Sequence, residues 1–173
     1  MKPVLMIHEV AEWMFDLPLH NYILTFDDGL YTQYTHFDKI KKIDTEKIFF
    51  ISTGIVASEH TVQSDAFIQC HVAHEKLFEN NDLSHYMNWS QIHEINKDSR
   101  CEIGAHSHMH IIHKGFNSVN DTKLMNKCFA EQKLRPTSFC FPYNADNPIY
   151  RAILKRHGYV NFYGQGRRCV YDI

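Results

Sequence analysis

The sequence has no long hydrophobic run, no CxxC cysteine pair and no large excess of charge of either sign. No stretch approaches the roughly 18 consecutive apolar residues that indicate a membrane-spanning helix. The formal net charge of -2 gives no electrostatic reason to expect binding to nucleic acid. The five cysteines are odd in number and widely scattered, which argues against both a disulfide framework and a zinc knuckle.

The first residues also lack the features of a secretion signal. A single lysine and an apolar run of only four residues precede His8, and no small-residue cleavage site follows. The sequence therefore predicts a cytoplasmic protein with reduced thiols. The length of 173 residues predicts a single domain over 1–173, because a chain of this size can bury most of its apolar surface in one core.

Short apolar segments alternate with segments of helical periodicity along the chain. Strands are predicted at 4–7, 22–26, 47–51, 101–105, 138–141 and 159–163. Helices are predicted at 32–43, 67–78, 88–96, 121–133 and 148–157. Residues 9–21 are predicted to form a loop, and residues 55–87 an insertion within the domain. The alternation predicts an α/β fold.

The chain is organised around residues 24–29, where an apolar strand runs directly into two acidic side chains, Asp27 and Asp28. Buried parallel strands deliver their last residues to the edge of the sheet where α/β folds build their sites. Two adjacent ionised carboxylates repel each other, so the pair needs a counter-charge, which a divalent metal ion commonly supplies. The alternative is structural: a turn at Gly29 followed by the cap of a helix.

A second polar cluster, residues 106–110 with the sequence HSHMH, follows another predicted strand. In a helical turn, His106 and His110 would face the same way and share one metal ion while His108 points elsewhere; in an extended chain all three would face one side. Two imidazoles and the carboxylate of Asp28 would form a three-ligand site with an open position, as in catalytic zinc sites. The alternative is an exposed histidine-rich loop. Because both clusters follow apolar strands, they are predicted to lie at the same end of one sheet.

Three segments, residues 25–29 (TFDDG), 102–110 (EIGAHSHMH) and 139–144 (FCFPYN), resemble the leading motifs of the polysaccharide deacetylase family, or NodB-homology domain (carbohydrate esterase family 4). They occur in the family's order, and the resemblance extends from about residue 4 to residue 163. It implies a distorted, incomplete (β/α) barrel of about six or seven mostly parallel strands. It also implies metal-dependent hydrolysis that removes the acetyl group of an N- or O-acetylated sugar.

Carried over position by position, the resemblance makes Asp28, His106 and His110 the metal ligands. The ion expected is Zn2+, with Co2+, Ni2+ or Mn2+ as alternatives. The resemblance makes Asp27 the general base that takes a proton from the attacking water. In the third motif, the backbone N–H of Tyr143 falls where the family holds the oxyanion.

Two positions depart from the family's pattern. The third motif usually carries an arginine that contacts the base, and Cys140 stands there instead. The late Leu-x-His motif that supplies the general acid has no match, because the only histidine after residue 144, His157, falls inside a predicted helix. A circularly permuted branch, resembling the poly-N-acetylglucosamine deacetylases, carries this histidine near its N-terminus and also lacks the arginine. On that pattern His8 is the acid; the alternative is a histidine that simply ends a strand.

The resemblance implies an acetylated sugar or glycan as the substrate. The lack of a signal sequence favours an intracellular intermediate in the synthesis of a surface polysaccharide, such as O-antigen or capsule. Two alternatives stay open: a catalytically weak or inactive carbohydrate-binding protein that keeps the fold and metal site, and a hydrolase of small amides. The short C-terminal end could leave the barrel open, and a second copy of the chain could cover the gap in a homo-oligomer.

No catalytic role is predicted for the other polar and aromatic residues. Residues 164–168 (GQGRR) are predicted to form a basic loop, with binding of a carrier's phosphate as the alternative. Cys70, His71 and His74 lie in the insertion and do not predict a second metal site. His36, His60, His85, His93 and His113 are interpreted as surface histidines, and Trp89, Phe116, Phe129 and Tyr150 as core or cleft wall.

Overall fold

The computed structural model describes residues 2–173, whose strands form one seven-stranded sheet that curls into a half-barrel with helices around it. The strands are β1 (Val4–Ile7), β2 (Ile23–Phe26), β3 (Lys47–Ile51), β4 (Cys101–Ala105), β5 (Ser138–Cys140), β6 (Asn161–Tyr163) and β7 (Arg168–Cys169). They lie in the order β6-β5-β4-β3-β2-β1-β7, and all neighbours pair in parallel. The predicted fold, an α/β distorted and incomplete barrel, is therefore confirmed.

The described residues also include six α-helices that connect the strands. They are α1 (Tyr31–Thr35), α2 (Phe37–Ile40), α3 (Cys70–Asn80), α4 (Trp89–Ile95), α5 (Asn117–Glu131) and α6 (Pro148–Arg156). The helix predicted over 32–43 is two short helices, because the backbone of His36 leaves the helical conformation between them (φ -100°, ψ 7°). Residues 9–21, predicted as a loop, contain two short 3-10 turns. None of the helices in the described chain is long and apolar enough to cross a membrane.

Helix α4 shows how the local sequence fixes the start of a helix. The side chain of Asn88 accepts a hydrogen bond from the amide of Gln91 (3.0 Å), and the side chain of Gln91 accepts one from the amide of Asn88 (2.9 Å). This is the reciprocal capping box that the Asn-x-x-Gln spacing predicts. It satisfies two backbone donors that would otherwise lack partners, so α4 begins where the sequence indicates.

Alternate residues of the strands build the core on the two faces of the sheet. On the outer face they pack against the helices, and the rings of Phe26 and Phe49 stack with their centroids 4.6 Å apart. On the inner face, Phe50 contributes to a smaller cluster. Gly104 on the neighbouring strand makes room for it, because a Cβ there would lie 2.5 Å from the Phe50 ring. Strand β3 is consequently buried along its whole length.

Residues 55–87, the predicted insertion, contain α3 and pack around a small apolar cluster that they form together with Leu30. That cluster consists of Leu30, Ile55, Ala73, Leu77 and Tyr86. Isolated β-bridges from Leu30 to Tyr86 and from Ala57 to Asn88 attach the segment to the main body. The division of the chain into one domain with an insertion stays a prediction, but this packing brings the first turn of α3 to the end of β2.

Three features of the fold differ from the predictions. Strand β7, which pairs with Leu5 and Met6 of β1, was not predicted, because two residues are too few to show a pattern. His85, interpreted as a surface residue, is buried beside Tyr86, so that interpretation is wrong. Phe116, interpreted as core or cleft wall, is 88% exposed at the start of α5, so that interpretation is also wrong.

Candidate active site

Asp27 and Asp28 directly follow strand β2, and their side chains are almost completely buried. Asp28 and Gly29 both adopt left-handed backbone conformations (φ 72° and 74°), so the chain turns sharply directly after the strand. Gln33 on α1 fixes this turn, because its side-chain amide donates to the carbonyls of Asp27 (2.6 Å) and His8 (2.7 Å). The ends of β1 and β2 are therefore held in register, and the two adjacent carboxylates face different partners.

The carboxylate of Asp28 faces two imidazoles. Its Oδ1 lies 3.1 Å from Nε2 of His106 and 3.1 Å from Nε2 of His110. Nδ1 of His106 lies 2.8 Å from the carbonyl oxygen of Cys140, and donation to that oxygen leaves Nε2 with a free lone pair. Burial would raise the pKa of Asp28, but the imidazoles of His106 and His110, in their protonated form, outweigh it and hold the pKa well below its usual range.

This arrangement fits a metal ion. Within the described residues, Oδ1 of Asp28 is buried without a hydrogen-bond donor, and such an oxygen is costly unless a cation neutralises it. One ligand atom from each of Asp28, His106 and His110 lies within 4.8 Å of the other two. One carboxylate and two imidazoles, open on the cleft side, match the donor set of catalytic zinc sites.

The histidine loop, residues 106–110, is neither helical nor extended. Ser107 and His110 adopt left-handed backbone conformations (φ 64° and 51°). The loop thereby turns its first and last histidines toward the same carboxylate and directs the middle one away, so that Nδ1 of His108 lies 2.9 Å from Oγ1 of Thr53. The backbone therefore matches neither predicted arrangement, but the side chains are oriented as predicted for the helical turn, with His106 and His110 facing one carboxylate and His108 pointing elsewhere.

Helix α5 anchors the histidine loop through a buried carboxylate. Asp121 accepts hydrogen bonds from the amides of His108 (2.8 Å) and Met109 (3.0 Å). Oγ of Ser107 accepts a third bond, from the amide of Ile111 (3.0 Å). These bonds hold the loop in a conformation that its own residues would not adopt without support.

The carboxylate of Asp27 forms a buried ion pair with Arg167, which sequence reasoning did not find. Nη1 of Arg167 lies 2.9 Å from Oδ1 of Asp27, and Nη2 lies 2.8 Å from Oδ2. Burial would raise the pKa of Asp27, but the guanidinium outweighs it and lowers the pKa. Residues 164–168 are thus more than a basic loop. Cys140, which stands where the family has an arginine, lies beside the same carboxylate, with its Sγ 3.4 Å from Oδ2 of Asp27. The signal available in the sequence was that Cys140 stands where the family has an arginine, which left the predicted base Asp27 without a cation.

One cavity of about 360 Å³ collects the residues predicted for the site. Its lining includes His8, Asp27, Asp28, His106, His110 and Tyr143. Nε2 of His8 lies 3.9 Å from Oδ2 of Asp28, and 27% of the His8 side chain is exposed to the cleft. Tyr143 adopts a left-handed backbone conformation (φ 56°), and its ring centroid lies 4.6 Å from that of His110. The structure brings all six predicted residues together, while their roles stay predictions.

The same cavity is also lined by Cys70 and His74 of α3, to which sequence reasoning gave no role. Sγ of Cys70 donates a hydrogen bond to Oδ2 of Asp28 (3.0 Å), and Nε2 of His74 lies 3.7 Å from that oxygen. Burial, reinforced by the charge of Asp28, raises the pKa of the Cys70 thiol, whereas burial lowers the pKa of His74. Their spacing of four residues on one helix face was the only available signal.

Comparison with known families decides the class of the chain. The family model for polysaccharide deacetylase matches residues 18–162. The chain belongs to the polysaccharide deacetylase family. The suspected family is therefore confirmed, and with it the enzyme class, that of a polysaccharide deacetylase.

Solved structures of the same fold include three deacetylases. IcaB from Ammonifex degensii is 20% identical, with 97% of this chain and 84% of that chain covered and a TM-score of 0.68. A de-N-acetylase from Aggregatibacter actinomycetemcomitans is 14% identical, with coverage of 94% and 87% and a TM-score of 0.66. The deacetylase PplD from Streptococcus pyogenes is 14% identical, with coverage of 91% and 80% and a TM-score of 0.63. Identities this low establish the fold alone. A search of the curated proteins finds no match.

Proposed function

We propose that this protein hydrolyses the acetyl group of an N-acetylated sugar with the help of a divalent metal ion, Zn2+ before Co2+, Ni2+ or Mn2+. The proposed ligands are Asp28, His106 and His110. The observation that carries the proposal is the contrast between two adjacent carboxylates in one cleft: Asp27 is paired with an arginine, whereas Asp28 faces two imidazoles. One acid is thus available to move protons, and the other to hold an ion.

The metal ion fits the donors of the cleft. Bound there, it would act as a Lewis acid that lowers the pKa of a water molecule and polarises the acetyl carbonyl. Nδ1 of His106 is committed to a backbone carbonyl, which fixes the ring with Nε2 toward the carboxylate of Asp28. The histidine loop is held by Asp121, so the ligands are positioned before an ion arrives.

Asp27 is the proposed general base. Its ion pair with Arg167 keeps the carboxylate ionised and fixes its orientation. An ionised carboxylate beside the attacking water accepts the proton that the water loses as its oxygen bonds to the acetyl carbon. The tetrahedral oxyanion that forms would accept a hydrogen bond from the backbone N–H of Tyr143.

His8 is the proposed general acid. It stands at the end of β1 on the exposed side of the cleft, where a sugar can approach its Nε2. As the bond between the acetyl carbon and nitrogen breaks, His8 gives its proton to the departing nitrogen, which leaves as an amine. The products are acetate and the free amino sugar.

The test compares Asp27→Asn with the exposed control Asp44→Asn. Each purified variant is assayed for acetate release from a panel of N- and O-acetylated sugars, sugar nucleotides, lipid-linked sugars, acetylated polymers and small acetylated amides, and its bound metal is measured. We expect Asp27→Asn to keep its metal and lose turnover, while Asp44→Asn behaves as the wild type. Hydrolysis by Asp27→Asn at the wild-type rate would overturn the assignment of the base.

The competing hypothesis is a carbohydrate-binding protein without turnover. Its supports were the arginine missing from the third motif and the short C-terminal end, and Arg167 counts against the first of them because it places a guanidinium beside the base. The panel separates the two hypotheses: metal binding and sugar binding without release of acetate from any member would favour the binding protein. Release from small amides but not from sugars would favour the third hypothesis.

The same panel tests the predictions about the substrate. An intracellular intermediate of surface-polysaccharide synthesis, such as O-antigen or capsule, predicts that sugar nucleotides or lipid-linked sugars are hydrolysed faster than polymers. Cell fractionation of the native protein tests the cytoplasmic location. Analytical ultracentrifugation tests whether a second copy of the chain covers the open side of the barrel.

A further inference from the structure

The second oxygen of Asp28 faces a set of donors that the proposed deacetylase site does not use as ligands. Sγ of Cys70 lies 3.0 Å from Oδ2 of Asp28, and Nε2 of His8 lies 3.9 Å from it. One ligand atom from each of the three residues lies within 4.8 Å of the others. Nε2 of His74, one helical turn beyond Cys70, lies 3.7 Å from the same oxygen and is buried without a hydrogen-bond partner in the described structure.

We propose that Oδ2 of Asp28, Sγ of Cys70 and Nε2 of His8 bind a second, thiophilic divalent cation, with His74 as a further donor. The carboxylate of Asp28 would then bridge two ions, one on each oxygen. Two parts of the proposal rest on the proposed function: that a first ion binds at Oδ1 of Asp28, and that His8 is the general acid, whose lone pair the second ion would take.

The chemistry of the donors selects the ion. A thiolate with imidazoles and one carboxylate oxygen suits zinc, cobalt or cadmium, whereas magnesium and calcium prefer oxygen ligands alone. Bonds of about 2.0–2.3 Å to a tetrahedral ion place its ligand atoms about 3.3–3.8 Å apart, close to the separations around Asp28. In the structure the thiol of Cys70 donates its hydrogen bond to Asp28. When the bond between sulfur and metal forms, that thiol proton is released to solvent.

The first turn of α3 is fixed in place for this role. The amide of Cys70 donates to Oε2 of Glu9 (3.1 Å), and the hydroxyl of Tyr171 donates to the other oxygen of Glu9. Cys70 is therefore held against the cleft from two segments of the chain. By contrast, the cluster of Asp27, His106 and Cys140, which also has ligand spacing, already contains the guanidinium of Arg167, whose charge excludes a metal ion.

The experiment titrates the metal-free, full-length protein with Co2+ and records the absorption spectrum. The proposed first site contains no sulfur, so the first equivalent should add d–d bands only. The second should add a thiolate-to-cobalt charge-transfer band in the near ultraviolet. Cys70→Ser should bind one equivalent and show no such band, while Cys128→Ser, which changes a partly buried thiol on α5 outside the cavity, should match the wild type.

Two results would overturn the second site: a second equivalent that binds to Cys70→Ser as it does to the wild type, or a second equivalent without a charge-transfer band. Both are read from spectra and stoichiometry, so they decide the proposal even if no sugar is hydrolysed. If acetate is released, Zn2+ beyond one equivalent should inhibit the wild type and not Cys70→Ser. Equal inhibition of both proteins would overturn the blocking of His8.

Discussion

The two sides of the cleft differ in where their positive charge comes from. On the Asp27 side the cation belongs to the chain, because Arg167 forms a hydrogen bond and a second close contact with the carboxylate in one ion pair. On the Asp28 side the neighbours are imidazoles and a thiol, none of which carries a permanent positive charge, and the proposed balancing charge is a metal ion from solution. Adjacent residues of the same type thus receive different chemistry from their surroundings. The comparison predicts that substitutions on the two sides separate metal binding from turnover.

The largest effect is expected from His106→Ala. It removes a proposed ligand whose ring is fixed by the carbonyl of Cys140. We expect loss of stoichiometric metal and a fall in turnover of about a thousandfold or more, since a metal ion stabilises the transition state by several kcal/mol. Elemental analysis and acetate release measure the two effects.

The matched control for that variant is His108→Ala, in the same loop. Its imidazole faces Thr53 instead of the carboxylate, so the variant should keep its metal and most of its activity. Equal metal loss from both variants would mean that disturbance of the whole loop, and not removal of a specific ligand, causes the loss.

On the other side of the cleft, Arg167→Gln should keep the metal and lose turnover by about a hundredfold, near the lower end of what general base catalysis contributes. The buried carboxylate of Asp27 would lose its cation, which also costs about 3–5 kcal/mol of stability. Arg167→Lys should recover part of the rate because it restores the charge without the second contact to the carboxylate. If Arg167→Gln lost its metal as completely as His106→Ala, the two sides would not be independent.

The half of the site that the sequence predicts is the half built from local segments. Asp28 and the histidine loop each follow an apolar strand directly, and parallel strands bring such residues to one edge of a sheet. The reciprocal cap at Asn88 is local in the same way, and its position was predicted correctly. Where a few neighbouring residues determine the geometry, the pattern is sufficient.

The other half depends on contacts between distant segments. Arg167 reaches Asp27 across 140 residues of sequence, and it does so because a two-residue strand too short to predict pairs beside β1. Cys70 and His74 lie in a segment without clear periodicity, and only tertiary packing turns that helix toward Asp28. Burial of His85 has the same origin. Such residues require the fold before their role can be considered.

A smaller effect is expected from Asp121→Asn, which acts on the Asp28 side through the histidine loop. Asp121 accepts the backbone N–H of His108 with one oxygen and that of Met109 with the other, whereas asparagine has only one side-chain oxygen, so one of the two hydrogen bonds is lost. We expect metal affinity to fall about tenfold, as for other residues that orient ligands, with turnover at saturating metal unchanged. Glu131→Gln, an exposed change on the same helix, is the control. A fall in turnover at saturating metal would assign Asp121 a role beyond positioning.

The smallest effect is expected from Asn88→Ala, which removes the reciprocal cap of α4 outside the cleft. Loss of a cap costs about 1 kcal/mol of stability, measurable by urea unfolding. Metal content and turnover should stay at wild-type levels, because neither Asn88 nor Gln91 lines the cavity. This variant therefore calibrates the others: if a modest loss of stability alone released the metal, the losses in the cleft variants would report loosening of the fold. If Asn88→Ala keeps its metal, the losses in the cleft variants come from the particular ligands and ion pair that those variants remove.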